Sequence, residues 1–226
     1  MELCHKKKAL SRLAGLGRCK LRRELVEPGD EISEGKHLKF LKESTWDQHL
    51  QLEKRLAIKD RFSEISAYRD HLTLLWGFHA AAEAQWSGFL LGSLDDYSAR
   101  LKAPLLARDI EALGGLPPSA LASVPPVADP IAALGGFYVL EGATLGGQHL
   151  LPIVQRKLGL SASHGASYLA SYGPDVKEMW RRFSTIVDAR CATPEDRQHA
   201  SATACATFLA LENWLCGEGP GGEARE

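Results

Sequence analysis

The strongest constraint on the fold is a glycine-rich stretch near the middle of the chain, from Gly135 to Leu151. Gly142 and Gly146 stand four residues apart, so in a helix they lie one above the other and leave a strip of bare backbone. Each glycine in a helix interior costs about 1 kcal/mol relative to alanine. A helix that keeps these residues and Gly147 therefore needs a flat or bulky group close to its main chain. Tight packing against another helix and a break at the glycine pair are the alternatives.

For this stretch a phosphate-binding loop is disfavoured and a transmembrane helix is excluded. A phosphate-binding loop needs a Lys-Ser or Lys-Thr pair after the glycines and a β-branched strand before them, and the sequence has neither. A transmembrane helix needs roughly 20 apolar residues, whereas Glu141 and Gln148 interrupt this run.

The composition is typical of a soluble protein that is long enough for one well-buried domain. Of its 226 residues 45% are hydrophobic and 24% charged, and the formal net charge of -1 gives no reason to expect nucleic acid as a partner. The cysteines number 5 and form no C-x-x-C pair, and an odd number favours a reducing compartment. No signal peptide or membrane-spanning run is present, so the sequence predicts a cytoplasmic protein.

We expect both ends of the chain to lie outside the domain. Residues 1–35 are predicted to form a basic extension and linker, and residues 217–226 a glycine-rich tail. A basic N-terminus would suit anionic lipid or nucleic acid, but a disordered extension is the simpler interpretation. The domain is then predicted over residues 36–216.

Helical periodicity runs through this domain, and no segment alternates like a strand. Apolar residues recur at intervals of three and four from Leu38 to Leu56, and His49 belongs to the same face. Other helices are predicted over 63–89 and 97–113, through the glycine stretch, and through Met179 to Val187 and Cys205 to Leu215. Caps are indicated at Asp129-Pro130 and Thr193-Pro194, and a helix end at Leu158-Gly159. The predicted fold class is all-α, a single-domain multi-helix bundle.

His49 is the first candidate ligand. A lone histidine on an apolar helical face is more often a core residue, but two neighbours favour ligation. Glu53, one turn later, is placed to orient the imidazole and raise its basicity. Lys42, two turns earlier, is placed to meet an anionic substituent of the bound group.

A second pair with the same spacing, His79 and Glu83, leaves a di-iron site as an alternative. Two such pairs on antiparallel helices could hold two irons. Di-iron carboxylate proteins use Glu-x-x-His pairs, however, and only Asp196-x-x-His199 comes near that pattern. Serine hydrolase chemistry lacks its G-x-S-x-G motif. Arg181 and Arg182 are most simply a solvated face.

Two motifs resemble those of the heme oxygenase family. Residues 41–53, LKESTWDQHLQLE, resemble the proximal helix of these enzymes, and residues 138–147, YVLEGATLGG, resemble the distal helix of their bacterial branch. The agreement continues through 68–79, 165–183 and 193–208, so it spans residues 36–216. The nearest likeness is to the bacterial type found with bacteriophytochromes.

The resemblance implies a heme-oxygenase-like bundle with heme between a proximal and a distal helix. On the proximal side, His49 would be the axial ligand of the iron and Glu53 would orient its second nitrogen. Lys42 would bind a heme propionate, and Thr45 would line the heme edge. If His49 were not the ligand, His79 and His149 would be the next candidates.

On the distal side the resemblance implies that Gly142 and Gly146 let the backbone approach heme and leave room for dioxygen. Tyr138 would be a second propionate partner, with Arg181 and Arg182 as the next candidates. Ala143 departs from the family pattern, which has serine in most bacterial members and aspartate in animal ones. Since alanine cannot anchor a water, this position bears on proton delivery and catalytic rate.

The implied activity is the oxidative cleavage of heme to biliverdin with release of CO and ferrous iron. Heme is then both cofactor and substrate, O2 is the oxidant, and a reductase or ferredoxin is the external electron donor. A bacteriophytochrome is a candidate acceptor of biliverdin. Two alternatives stay open. One is a heme-binding or heme-sensing protein with weak catalysis, which Ala143 favours. The other is a helical partner module, which would leave His49, Lys42 and the glycines unexplained.

Overall fold

The computed structural model describes residues 38–217, except for the side chain of Lys59. Within this range the only β-type pairing is a set of isolated bridges from Ser161 to His164 and Gly165, so the all-α prediction is confirmed. The helices are α1 (Lys39–Leu56), α2 (Ile58–Arg61), α3 (Ile65–Leu90), α4 (Tyr97–Arg100), α5 (Ala103–Ala112), α6 (Pro130–Leu158), α7 (Ser167–Ala170), α8 (Val176–Arg190) and α9 (Pro194–Cys216), with a 3₁₀ turn over Gly173–Asp175.

The single helix predicted over 97–113 is wrong, because the structure has two helices there. Leu101 is extended, with φ -63° and ψ 131°, between α4 and α5. The Glu83 carboxylate accepts hydrogen bonds from the backbone N–H groups of Lys102 and Ala103, at 2.6 and 3.1 Å. Pro104 stands in the first turn of α5. A carboxylate acceptor and a proline at these positions begin a new helix.

The glycine stretch lies inside α6, which runs without a break from Pro130 to Leu158. Asp129 caps its N-terminus by accepting a hydrogen bond from the Ala132 N–H at 2.9 Å. Gly159 ends it with φ 70°, a left-handed conformation that glycine adopts readily. Both ends agree with the prediction, and the alternative of a break at the glycine pair is excluded.

Aromatic side chains from several helices close the interior. Trp86 of α3, Phe137 of α6 and Phe183 of α8 are all buried. The rings of Phe137 and Phe183 meet edge-on with their centroids 6.0 Å apart, and Tyr97 of α4 lies 5.7 Å from Phe137. Burial of each such side chain stabilises the fold by about 1.5–3 kcal/mol.

α9 is the common packing partner of α1 and α6. The Cys205 thiol contacts the Ser44 carbonyl oxygen, and seven residues later in both helices Gln51 donates to Glu212. This constant offset shows that α1 and α9 run in parallel. α6 crosses α9 where Gly135 meets the backbone of Ala200. Within the described residues, α1 and α6 show no comparable packing against each other.

The predicted extension over residues 1–35 and residues 218–226 of the predicted tail lie outside the described residues. These two predictions therefore stay predictions. In the part of the chain between Leu38 and Gly217, no helix combines the length and the apolar character needed to cross a bilayer.

Candidate functional site

His49 lies at the edge of the packed face of α1. The buried side chains of this helix are Leu41 and Thr45, whereas the His49 side chain is 48% exposed. The expectation that His49 belongs to the apolar face is therefore met only at the margin of that face. Its imidazole is accessible to a group from outside the chain, as a metal-ligating histidine must be.

Three side chains surround the His49 ring. Trp46 lies parallel to it with ring centroids 6.3 Å apart, and Phe208 of α9 meets it edge-on at 5.9 Å. The Glu53 Oε1 atom is 3.7 Å from His49 Nδ1, too long for a direct hydrogen bond but close enough to orient the ring. Because Nδ1 faces the carboxylate, Nε2 is the nitrogen available to a ligand.

Lys42 and Thr45 occupy contrasting positions on the same helix. Lys42 is exposed, two turns before His49. Thr45 is 2% exposed, and its hydroxyl donates to the Leu41 carbonyl oxygen at 2.7 Å. Since this hydroxyl hydrogen is used within α1, Thr45 offers a bound group apolar contact rather than a hydrogen-bond donor.

The glycines of α6 divide into two groups by their surroundings. A Cβ added to Gly147 would stand 2.8 Å from the Leu169 carbonyl oxygen, and one added to Gly136 would stand 2.9 Å from the Trp86 ring. These two glycines and Gly135 serve close packing. At Gly142 and Gly146 an added Cβ would meet no atom within 4 Å from any other part of residues 38–217. Packing among these residues therefore does not explain the strip predicted from the sequence.

The other predicted residues of α6 lie along the same helix. Tyr138 is half-buried, with its ring 5.8 Å from that of Trp180 in α8. Ala143 and His149 are exposed. The structure thus arranges the predicted residues in two sets, one on α1 and one on α6, and both helices pack on α9.

The residues fit a flat, partly apolar group with an iron at its centre. α1 supplies an accessible imidazole beside an aromatic ring, and α6 supplies backbone without side chains at Gly142 and Gly146. A cavity of about 400 Å³ lies elsewhere, lined by Lys39, Phe40, Glu43, Asp188 and Arg197. None of the predicted site residues lines that cavity.

The second His-x-x-x-Glu pair has a structural role. His79 and Glu83 are buried, with His79 Nδ1 3.5 Å from Glu83 Oε1 and His79 Nε2 3.3 Å from the Tyr168 hydroxyl. The Glu83 carboxylate also begins α5 by accepting hydrogen bonds from the backbone N–H groups of Lys102 and Ala103. Across residues 38–217 no group of three or more His, Cys, Asp and Glu side chains could hold a metal ion. The described residues give the di-iron alternative no support.

Glu141 of α6 belongs to a buried charged cluster that sequence patterns did not predict. Glu141 accepts hydrogen bonds from Arg100 Nη1 at 2.5 Å and from the Tyr172 hydroxyl at 2.6 Å. Arg100 also donates to Asp96 at 2.6 Å, and Lys102 Nζ lies 3.7 Å from the centre of the Tyr172 ring. The available signal was Glu141 itself, a charged residue inside an otherwise apolar run. Its partners lie 41 and 31 residues away, beyond what a local pattern shows.

Burial shifts the pKa values of this cluster. Desolvation lowers the pKa of Lys102 to about 8, although Glu141 and Glu83 oppose the shift. Desolvation and the neighbouring Glu141 carboxylate raise the pKa of the Tyr172 phenol well above its ordinary value. Tyr172 therefore stays a hydrogen-bond donor at any physiological pH.

Arg181 and Arg182 are exposed, as predicted, and both form ion pairs. Arg181 donates to Glu178 at 2.7 Å on the surface of α8. Arg182 lies 3.1 Å from Asp96 at the margin of the buried cluster.

Comparison with known proteins identifies relatives for most of the described residues. A family model described as Heme oxygenase matches residues 36–216. A protein named heme oxygenase from Xanthomonas campestris pv. campestris (strain 8004) is 32% identical over 150 residues, which cover 66% of this chain and 87% of that protein. The crystal structure of heme oxygenase from Neisseria meningitidis matches with a TM-score of 0.70 and 24% identity over 77% of this chain and 87% of that one. The structure of heme oxygenase from Leptospira interrogans matches with a TM-score of 0.64 and 18% identity over 79% and 98%.

Proposed function

Since the chain belongs to the heme oxygenase family, we propose that it binds heme between α1 and α6 with His49 as the axial ligand of the iron. Heme oxygenases cleave heme to biliverdin with release of CO and ferrous iron, using O2 and external electrons. Bound heme supplies the redox chemistry and is also the substrate. The residues of this chain bind it, orient it and control access to it.

The observation that best supports this function is the contrast among the glycines of α6. Gly135, Gly136 and Gly147 lie in tight contacts, whereas a Cβ added to Gly142 or Gly146 would have no neighbour within 4 Å from elsewhere in the described residues. A helix that keeps two costly glycines without using them in its own packing leaves that space for another molecule. A planar macrocycle and a diatomic ligand suit a strip without side chains.

On the opposite side, α1 contributes the ligand and its support. His49 would bind the iron through Nε2, while Glu53 attracts the Nδ1–H and increases the electron density on the ring. Trp46 and Phe208 restrict the rotation of the imidazole by contacts to two of its sides. Thr45 would contact the edge of the macrocycle.

Further partners follow from the same proposal. Electrons would come from a reductase or ferredoxin, and a bacteriophytochrome would be an acceptor of the biliverdin. The reaction would take place in the cytoplasm, where cysteines stay reduced. Cys191, Cys205 and Cys216 are free thiols, in keeping with that compartment.

Reconstitution with hemin tests the function directly. We expect a sharp Soret band on titration and, after ascorbate or a reductase is added under air, its replacement by the broad red absorption of biliverdin with release of CO. His49→Ala should change the ferric spectrum, and added imidazole should restore it. An unchanged ferric spectrum in this variant would assign the ligand to another residue. The exposed His149 would be examined next, because His79 is buried with its Nε2 3.3 Å from the Tyr168 hydroxyl.

A heme-binding protein with weak catalysis is the second candidate, and Ala143 favours it. This side chain is exposed beside the open glycines and has no hydroxyl to hold a water. Stable heme binding without ring opening in the same assay would support this candidate. Ala143→Ser should then increase the rate of ring opening without changing heme affinity.

Lys42 and Tyr138 are proposed to fix the in-plane rotation of heme by binding its propionates. This rotation decides which meso carbon is cleaved. We expect Lys42→Ala and Tyr138→Phe to keep the axial ligand but to broaden the mixture of biliverdin isomers. The lysine change should act more strongly because it removes a charged partner. Chromatography of the extracted products measures this, and one unchanged isomer from both variants would direct attention to Arg181 and Arg182.

A further inference from the structure

The side of α6 opposite the open glycines is bonded to the end of α7 and to the residues that follow it, over residues 169–172. Glu141, which precedes Gly142, is 1% exposed and accepts a hydrogen bond from the Tyr172 hydroxyl at 2.6 Å. Two turns later Gln148 donates through Nε2 to the Ala170 carbonyl oxygen at 3.3 Å. Between them, Gly147 lies against the Leu169 carbonyl oxygen. Residues 169–172 thus contact α6 at both ends of its open stretch.

The same segment has an unfavourable backbone conformation. Ser171 has φ 48° and ψ -116°, and a non-glycine residue rarely adopts such a positive φ. Its hydroxyl oxygen is buried and has no hydrogen-bond partner among the described residues. Such a conformation persists only where neighbouring contacts impose it. The flanking bonds, from Gln148 to Ala170 and from Tyr172 to Glu141, are contacts of that kind.

Arg100 supports the same region from the far side. It is fully buried and joins Glu141 to Asp96 with bonds of 2.5 and 2.6 Å. The Glu141 carboxylate is therefore held by two charged or polar donors, and such charge-assisted bonds are strong in a buried setting. These bonds hold α6 at the turns where Gly142 and Gly146, on its opposite face, lower the stability of the helix.

We propose that Glu141, Gln148 and Tyr172 are positioning residues that hold the open stretch of α6 at a fixed distance from bound heme. This inference rests on the proposed function and adds residues to it. None of the three needs to touch heme. They act by fixing the backbone at Gly142 and Gly146, which has few side-chain contacts of its own.

Hydrogen exchange in the heme-free protein tests the anchoring independently of heme. Tyr172→Phe removes only the hydroxyl that bonds Glu141. We expect the amides of residues 142–148 to exchange about tenfold faster in this variant, while those of α3 and α9 keep their rates. Tyr97→Phe is the matched control, because it removes a buried phenol hydroxyl that donates at 3.0 Å to the Glu83 carbonyl oxygen of α3. In this control the α6 amides should exchange at the same rate as in the wild type.

The C–O stretching band of the ferrous CO complex, measured by infrared spectroscopy, tests the positioning. Tyr172→Phe should broaden or split this band, whereas Tyr97→Phe should not. Faster exchange with an unchanged band would overturn the positioning role, and unchanged exchange would overturn the anchoring itself. If Tyr172→Phe does not fold, Gln148→Ala is judged by the same two measurements. Failure of the wild-type protein to bind hemin would instead reject the proposed function, and the exchange result would still stand.

Discussion

At the two open glycines, a substitution is expected to change stability and activity in opposite directions. In the heme-free protein an alanine methyl at Gly146 meets no other part of the described chain within 4 Å. Gly146→Ala should therefore stabilise α6 by up to about 1 kcal/mol, which corresponds to a rise in Tm of about 2–4 °C. The same methyl should crowd heme or its gaseous ligand and slow ring opening. Calorimetry of the heme-free protein and the biliverdin assay measure the two effects.

Gly147→Ala is the matched control one residue further along. Its methyl would stand 2.8 Å from the Leu169 carbonyl oxygen, so this variant should lose stability instead. If Gly146→Ala also lost stability and kept full ring-opening activity, the open strip would have no function.

Lys102 predicts a pH dependence of stability. Burial lowers its pKa to about 8 in the folded protein, whereas an unfolded lysine keeps its proton up to about pH 10.4. Between these values the unfolded state binds more protons, so this residue makes the free energy of unfolding rise with pH. Below pH 8 the cost of burying the charged amine is fully present.

Lys102→Met should remove this contribution, while Arg100 and Tyr172 still satisfy Glu141. Urea unfolding at pH 7 to 10 should show the wild-type protein gaining stability relative to the variant as the pH rises. Lys54→Met, at an exposed lysine of α1, is the control and should leave the profile unchanged. If the free energy of unfolding changed with pH in the same way in the wild type and in Lys102→Met, the lowered pKa of Lys102 would be contradicted.

At the scale of elements, sequence patterns predicted what local chemistry determines. The caps at Asp129 and Thr193 and the helix end at Gly159 depend on residues within one turn, and the structure has all three. The division between α4 and α5 depends on Glu83, which lies 19 residues before Lys102. No local pattern contains that contact. For the same reason the helical periodicity placed His49 on the packed face without showing that it lies at the margin.

The two His-x-x-x-Glu pairs have the same sequence spacing but different environments, and the environment decides their roles. His49 and Glu53 are 3.7 Å apart on an exposed helix face, and His79 and Glu83 are 3.5 Å apart in the interior. Glu83→Ala should cost about 2–3 kcal/mol, because the N–H groups of Lys102 and Ala103 lose their acceptor. It should leave the heme spectrum unchanged in the protein that folds.

Glu53→Ala should behave in the opposite way. The side chain is exposed, so we expect a change in stability within about 0.5 kcal/mol. Loss of its support for His49 should weaken hemin binding by roughly tenfold. Urea unfolding and hemin titration of both variants measure these effects. If the two variants lost similar stability and similar hemin affinity, the assignment of His79 and Glu83 to the structure and of His49 and Glu53 to the ligand site would be contradicted.

For the whole molecule, α9 is the element against which both α1 and α6 pack. The first half of α6 is largely buried, whereas α1 exposes most of its side chains and packs mainly on α9. A buried charged link between α1 and α9 is Glu212, which is 2% exposed and accepts hydrogen bonds from Arg55 at 2.6 Å and Gln51 at 2.9 Å. Local detachment of α1 should therefore be the easiest large opening of the heme-free protein.

Glu212→Gln keeps the shape of this link and removes its charge, so it should favour detachment of α1. We expect trypsin to cleave after Lys42, Lys54 or Arg55 about three- to tenfold faster in the heme-free variant than in the wild type. Glu178→Gln is the control, because the Glu178–Arg181 pair is of similar length, at 2.7 Å, but both of its side chains are exposed. Hemin should slow cleavage in all three proteins, since heme bound through His49 favours the docked helix. Faster cleavage throughout the chain would indicate global destabilisation instead, and equal rates in the two variants would mean that Glu212 does not hold α1.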